Sequence, residues 1–261
     1  MLSRMRHRSE RDSNLARTLP RPRRIRVAAE PNPVILDLAR TALVVIDMQN
    51  DFVSAGGWFD SRNIDLAPAQ RVIAPINRML AGARKAKMPV VWLNWGNRPD
   101  RLNLPHGVLR TGAYGERLKS GRGPVLERGS WGAQVVPQLD ARKTDIHVDK
   151  YRLSGFWDNE LDSILRRMEI TTLLFAGVNL DRCLLATMQD AAFIGYDPIL
   201  LDDCAATSSP QYCSEAARFL LRLLYGFVTT SGAVLAGLAG GAQRSRKKRA
   251  RARAPRQRRS G

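Results

Sequence analysis

Short apolar segments alternate along this chain with longer stretches of helical spacing, and that alternation is what most narrows the folds open to it. The segments "TALVVID" (41–47), "VVWLN" (90–94), "DIHVDK" (145–150), "TTLLFAGV" (171–178) and "DPILLDD" (197–203) are β-rich runs of the kind buried on both faces. Between them lie "PAQRVIAPINRMLAGARKA" (68–86), "NELDSILRRME" (159–169) and "CLLATMQDAAFIG" (183–195), whose apolar residues recur at helical intervals. A further helical pattern, "SPQYCSEAARFLLRLLYG" (209–226), runs into a possible last strand, "FVTT". Strands alternating with helices of this length form crossover units, hence a mostly parallel sheet with helices on both faces: a three-layer α/β/α sandwich. The one long irregular stretch, 95–130, is rich in Gly, Pro and Arg and is expected to cover or shape a site.

Charge separates this core from its ends. The formal net charge is +18. Residues 1–33 hold nine Arg against Glu10, Asp12 and Glu30, a net of +6, and residues 244–259 hold ten Arg plus Lys with no acid, which leaves +2 for the middle. Both ends are too poor in apolar residues to offset their ordering entropy. The expected organisation is a basic disordered extension over 1–33, one folded domain over 34–240 and a basic disordered tail over 241–261. Charge runs of this kind make non-specific polyanion contacts without defining a nucleic-acid-binding protein. No segment is long and apolar enough to span a bilayer, and the start has no apolar signal core. Three cysteines, an odd number without metal-ligand spacing, fit a reducing compartment, so the expected location is the cytoplasm.

In an open parallel sheet, ligands bind beyond the carboxyl ends of the strands. Asp47 closes the first strand, Lys150 ends the "DIHVDK" strand and Cys183 follows "TTLLFAGV". Singly, each has a plain structural reading: a helix cap, a solvated cation, a small core residue. Together they can make an activated nucleophile. A helix amino terminus and an ammonium favour the thiolate, and a carboxylate can accept its proton. Backbone N–H groups around Asn179 and Cys183 can hold an oxyanion. Gln49, Phe52, Asn94, Trp95, Tyr151 and Trp157 lie close to strand ends and are candidate substrate contacts. Cys204 and Cys213 have no comparable setting.

Three ordered segments, "ALVVIDMQNDF", "VDKYRLSGFWDNELDSIL" and "GVNLDRCLLATMQDA", resemble those of the isochorismatase-like cysteine hydrolases. The resemblance runs from about Pro33 to Ser231 and implies a six-stranded parallel sheet flanked by helices, in homo-oligomers. It matches Asp47 to the family's acid/base, Lys150 to its lysine and Cys183 to its nucleophile, and implies a cis peptide between Val178 and Asn179. Within the family, "ERGSWGAQVVPQL", "SGFWDNELDSIL" and "YGFVTTS" are most similar to ureidoacrylate amidohydrolases, while "NRPDRLNLP" and "LLDDCAAT" look like biuret amidohydrolases. The implied activity is therefore hydrolysis of a carbamoyl or ureido C–N bond of a small molecule. Nicotinamidases of the family hold a metal through an Asp and several His, whereas this chain has only His7, His106 and His147. The expectation is neither metal nor cofactor. Leu180 stands where the family usually has Thr, and Arg182 puts a charge beside Cys183. These departures and the basic tails keep open a second reading, a binding protein acting through those tails; a third is vinyl-ether hydrolysis of the isochorismatase type.

Overall fold

The computed structural model describes residues 15–16, 20–107, 119–120 and 122–241. Its centre is a six-stranded, wholly parallel sheet built from β3 (Thr41–Ile46), β4 (Val90–Trp95), β7 (Ile146–Lys150), β8 (Thr172–Val178), β9 (Asp197–Ala206) and β10 (Phe227–Thr229). The order across the sheet is β10-β9-β8-β3-β4-β7. Every residue of β3 and β8 is buried, as a strand covered on both faces requires, which is why both read as unbroken apolar runs. All five strands expected from the sequence are present, and "FVTT" supplies the sixth.

The helices follow the expected order with instructive breaks. The 68–86 pattern forms α3 (Ala67–Arg71) and α4 (Ile73–Lys85), after the short α1 (Asn50–Val53) and α2 (Trp58–Ser61). Pro75 has no N–H to give the Arg71 carbonyl, and its ring crowds that carbonyl, so the helix cannot run through Val72 unbroken. Beyond the break, α4 buries Ile76, Met79, Leu80 and Ala83, one stripe at helical spacing. The later helices are α5 (Leu161–Arg167), α6 (Leu185–Phe193) and α7 (Gln211–Leu220). α6 is preceded by a π-helical turn, Leu180–Leu184, and α7 is followed by another, Leu221–Tyr225.

One finding corrects the expected organisation. Residues 24–27, placed in a disordered extension, form β1 (Arg24–Val27), which pairs antiparallel with β2 (Val34–Asp37). Their alternation was hidden in an Arg-rich run: Ile25 and Val27 are buried while Arg24 and Arg26 are exposed. Within the expected domain, but for its last residue, lies a helix, α8, over residues 231–241 that the small-residue sequence "SGAVLAGLAGG" does not announce. Gly237 and Gly241 bring α8 close to Ile25, Arg26 and Val27, and Gly82 lets Leu235 approach α4. Hairpin and helix therefore bury one another. The remainder of the basic ends, residues 1–14, 17–19 and 242–261, lies outside the described residues, as do 108–118 and 121 of the irregular stretch. A minor antiparallel pair joins β5 (Lys119–Ser120) to β6 (Gly123–Pro124).

Candidate active site

Strand order decides which reactive residues meet. β3 is flanked by β8 on one side and β4 on the other, with β7 beyond β4. Asp47, just past β3, is thus central. Cys183 approaches it from the β8 side, and Lys150, the last residue of β7, reaches it across the end of β4. The Lys150 Nζ lies 2.9 Å from Asp47 Oδ2, and both side chains are fully buried. Nζ also donates to the Arg152 carbonyl at 3.2 Å and sits 4.1 Å from the centre of the Trp95 ring, which is in register with it on β4. The ammonium is held by a charge, a carbonyl and a π face in place of water.

Asp47 takes a left-handed backbone, φ 53°, at the turn out of β3, a region that Asp tolerates better than most residues. Its N–H donates to the Leu93 carbonyl at 3.1 Å, which locks the turn to β4. Neither carboxylate oxygen has a well-aligned hydrogen bond. Burial pushes the Asp47 carboxyl above the usual carboxylate range, opposed by the Lys150 charge and by contact with the Cys183 thiol. Buried acceptor capacity of this kind is costly and marks a place where a proton can be received.

Cys183 is 4% exposed. Burial and then the Asp47 charge push its thiol up to about 12, against the opposing pull of Lys150. The direction is opposite to the sequence-based expectation of a lowered thiol pKa: desolvation and a neighbouring carboxylate outweigh the ammonium. The resting sulfur therefore carries its proton. The turn bearing it begins with a cis peptide between Val178 and Asn179, as the resemblance implied. It continues with a wide hydrogen bond from the Leu184 N–H to the Asn179 carbonyl, 3.2 Å across five residues. Immediately upstream, Gly177 has φ +117°, and a side chain there would overlap the Ile46 carbonyl. Only glycine allows β8 to pass so close to β3 at this point.

The candidate contact residues divide by environment. Trp95 is buried against Lys150. Asn94 is half-buried, and its Oδ1 is enclosed without a partner. Gln49 is fully buried and engaged with backbone: its Nε2 donates to the Trp95 and Ala133 carbonyls, both at 2.7 Å, and its Oε1 accepts the Trp95 N–H at 2.8 Å. Phe52 sits in an edge-on cluster with Trp58 and Phe59. Both act as framework. Tyr151 is half-buried, its hydroxyl donating to the Asp158 carbonyl at 2.7 Å. Trp157 is 59% exposed and donates through Nε1 to Asp190 at 2.7 Å.

Three polar residues near the site were not singled out from the sequence. Asp51, fully buried, accepts the N–H groups of Trp58 at 2.9 Å and Leu126 at 2.7 Å, tying the 125–132 segment to the turn after β3. Thr187 donates to the Cys183 carbonyl at 2.6 Å and accepts the Gly155 N–H at 3.0 Å, joining the cysteine turn to the segment after Lys150. Its position four residues after Cys183 on a helix was the available signal. Thr207 donates to Asp181 at 2.5 Å and braces the turn at which Leu180 is fully buried. Arg182 is directed sideways, donating to Ser209 at 2.7 Å, with Asp181 3.7 Å away. Among the described residues no group of three or more His, Cys, Asp or Glu is arranged to hold a metal ion, and no helix is long and apolar enough to cross a membrane.

Comparison with known proteins agrees with the fold. A ureidoacrylate amidohydrolase, RutB, of Caulobacter segnis is 32% identical over 216 residues, covering 79% of this chain and 89% of its own. Its counterpart in Pseudomonas syringae pv. syringae is 33% identical over 208 residues, 77% and 85% of the two chains. Among solved structures, a cysteine hydrolase from Pseudomonas syringae pv. phaseolicola shares the fold at TM-score 0.69 and 23% identity, over 79% of this chain and 95% of that one. An N-carbamoylsarcosine amidase from Thermoplasma acidophilum matches at TM-score 0.58 and 25% identity, over 74% and 96%. The isochorismatase domain model matches residues 41–233. With most of its length matched by that model and by relatives above 30% identity, the chain belongs to the isochorismatase family of hydrolases.

Proposed function

We propose that this protein is a cysteine-dependent amidohydrolase that cleaves a carbamoyl or ureido C–N bond of a small molecule. The observation that carries the reading is the enclosed grouping of Asp47, Lys150 and Cys183 at the carboxyl ends of three strands, with Asp47 ion-paired to Lys150 and in contact with the thiol. The relatives named as ureidoacrylate amidohydrolases supply the bond type.

Because the resting thiol is protonated, attack is coupled to proton transfer. Asp47 accepts the Cys183 proton as sulfur forms a bond to the substrate carbonyl carbon, and the carbonyl π pair moves onto oxygen. The N–H groups of Asn179 and Cys183 hold that oxyanion. As the oxygen pair returns, the C–N bond breaks and Asp47 passes its proton to the departing nitrogen. Ammonia or an amine leaves, with a thioester or thiocarbamate remaining on Cys183. Water then attacks that carbon while giving a proton to Asp47; the C–S bond breaks, the proton returns to sulfur and the acid is released. Lys150 stabilises the carboxylate before and after each transfer and fixes its orientation. No metal or cofactor takes part in this scheme.

Cys183→Ser is expected to abolish ammonia release from ureido and carbamoyl substrates while the circular dichroism spectrum stays that of the parent. A substrate-derived mass adduct on Cys183 in the parent protein is the direct readout of the covalent step. Near-parental turnover by the purified serine variant would overturn the mechanism.

A further inference from the structure

Helix α7 presents an apolar side to solvent. Tyr212, Ala216, Phe219 and Leu223 recur at helical spacing and form one stripe, carried from α7 into the π-helical turn that follows it. All four are exposed, Phe219 at 57% and Leu223 at 61%. On the opposite side Ala217 and Leu221 are buried, so the helix is already seated on the domain without the stripe. It also packs against the cysteine turn, Leu180–Leu184. The stripe is therefore a second apolar face, beyond the one that folding uses.

That face continues onto α6. Leu224 is exposed, and beside it the Tyr225 ring meets the ring of Phe193 edge-on at 5.8 Å, while Gln189 donates to the Tyr225 hydroxyl at 3.1 Å. Phe193 is itself exposed. The open parts of Tyr212, Phe219, Phe193 and the two leucines come to roughly 500 Å² of apolar surface. A stable homodimer buries about 800 Å² on each partner, about two thirds of it apolar. The strip supplies that apolar share by itself.

The charges along its edge are complementary to those of a second copy. Glu215 and Arg222 lie on the same edge of the stripe, two helical turns apart. Glu215 is exposed and accepts from Gln211 at 2.6 Å; Arg222 is half-buried, with Glu30 at 3.3 Å. A two-fold antiparallel pairing of α7, centred midway between them, sets Glu215 of each copy opposite Arg222 of the other. The same pairing brings the two Phe219 side chains together beside the axis. We infer that this strip is an isologous interface at which a second copy of the chain docks, α7 antiparallel to α7.

The test measures the full chain by size-exclusion chromatography with light scattering, and by sedimentation equilibrium for the association constant. At micromolar concentration the parent is expected to have at least twice the mass of one chain. Phe219→Glu puts a charge where the copies meet and should halve the mass while the circular dichroism stays parental, because the side chain is exposed within its own chain. Glu215→Arg and Arg222→Glu should each weaken association about 10-fold or more. Combining both changes in one chain should restore most of it, since the swapped charges again face one another across the two-fold axis. A monomeric parent overturns the proposal and leaves the face to a partner of another kind. An oligomer indifferent to Phe219→Glu, or a double swap that associates no better than the single variants, overturns it as well.

Discussion

Asp47 and Lys150 are a buried ion pair, and each is tolerable in a dry interior only because of the other. Lys150→Met removes the charge that holds the Asp47 carboxyl down and leaves burial to push it higher. In the proposed mechanism turnover requires ionised Asp47, so activity falls as pH drops through its pKa; in the variant this acid limb of kcat/KM should move to higher pH. An unmoved limb would separate Asp47 from the proton transfer. The same substitution should cost about 3–5 kcal/mol of stability near neutral pH, measured by urea unfolding. That cost arises between the ordinary carboxylate pKa and the raised folded value, and it should fade in acid as Asp47 takes up a proton. At this scale the residue identities were legible because they fall at strand ends. The protonated state of Cys183 was not, because desolvation depends on what packs around a group and not on its neighbours in sequence.

The turn from β8 into α6 is where the element's backbone matters more than its side chains. Gly177, the cis peptide after Val178 and the wide hydrogen bond to Leu184 all fall within eight residues of one another. Gly177→Ala combines a positive φ with a collision against the Ile46 carbonyl, and both act on the strand pair that carries Asp47 and Cys183. A loss of more than about 3 kcal/mol is expected in chemical denaturation, with reduced kcat in whatever folds. A loss below 1 kcal/mol would mean that the strands can part at little cost. Strand periodicity and the helix stripes were readable because burial on two faces or one stripe imposes a pattern. Glycine at 177 inside an apolar run gave only a hint of close approach. The hairpin of β1 and β2 was unreadable for a different reason: its core, Ile25 and Val27, exists only because α8 arrives from the far end of the chain.

Over the whole molecule, charge and fold are distributed separately. The region between the basic ends carries about +2 of the total +18. Deleting residues 244–261 removes ten positive charges and is expected to leave kcat/KM and the unfolding midpoint unchanged. It should also abolish most salt-sensitive retention on a polyanion column, because that retention reflects counterion release. Persisting retention would place the polyanion contact on the remaining chain, either the nine Arg of residues 1–33 or the folded domain. What the sequence determined by itself is the class of fold, the order of its strands along the chain and the chemical types at their carboxyl ends, since these follow from periodicity, burial pattern and position. Only the tertiary structure decided that β3 stands between β8 and β4, so that Asp47 lies within reach of both Lys150 and Cys183. It also decided that burial and the neighbouring carboxylate hold the thiol proton at rest. Sheet order and dielectric environment arise from contacts between residues distant in sequence, and no local pattern encodes them.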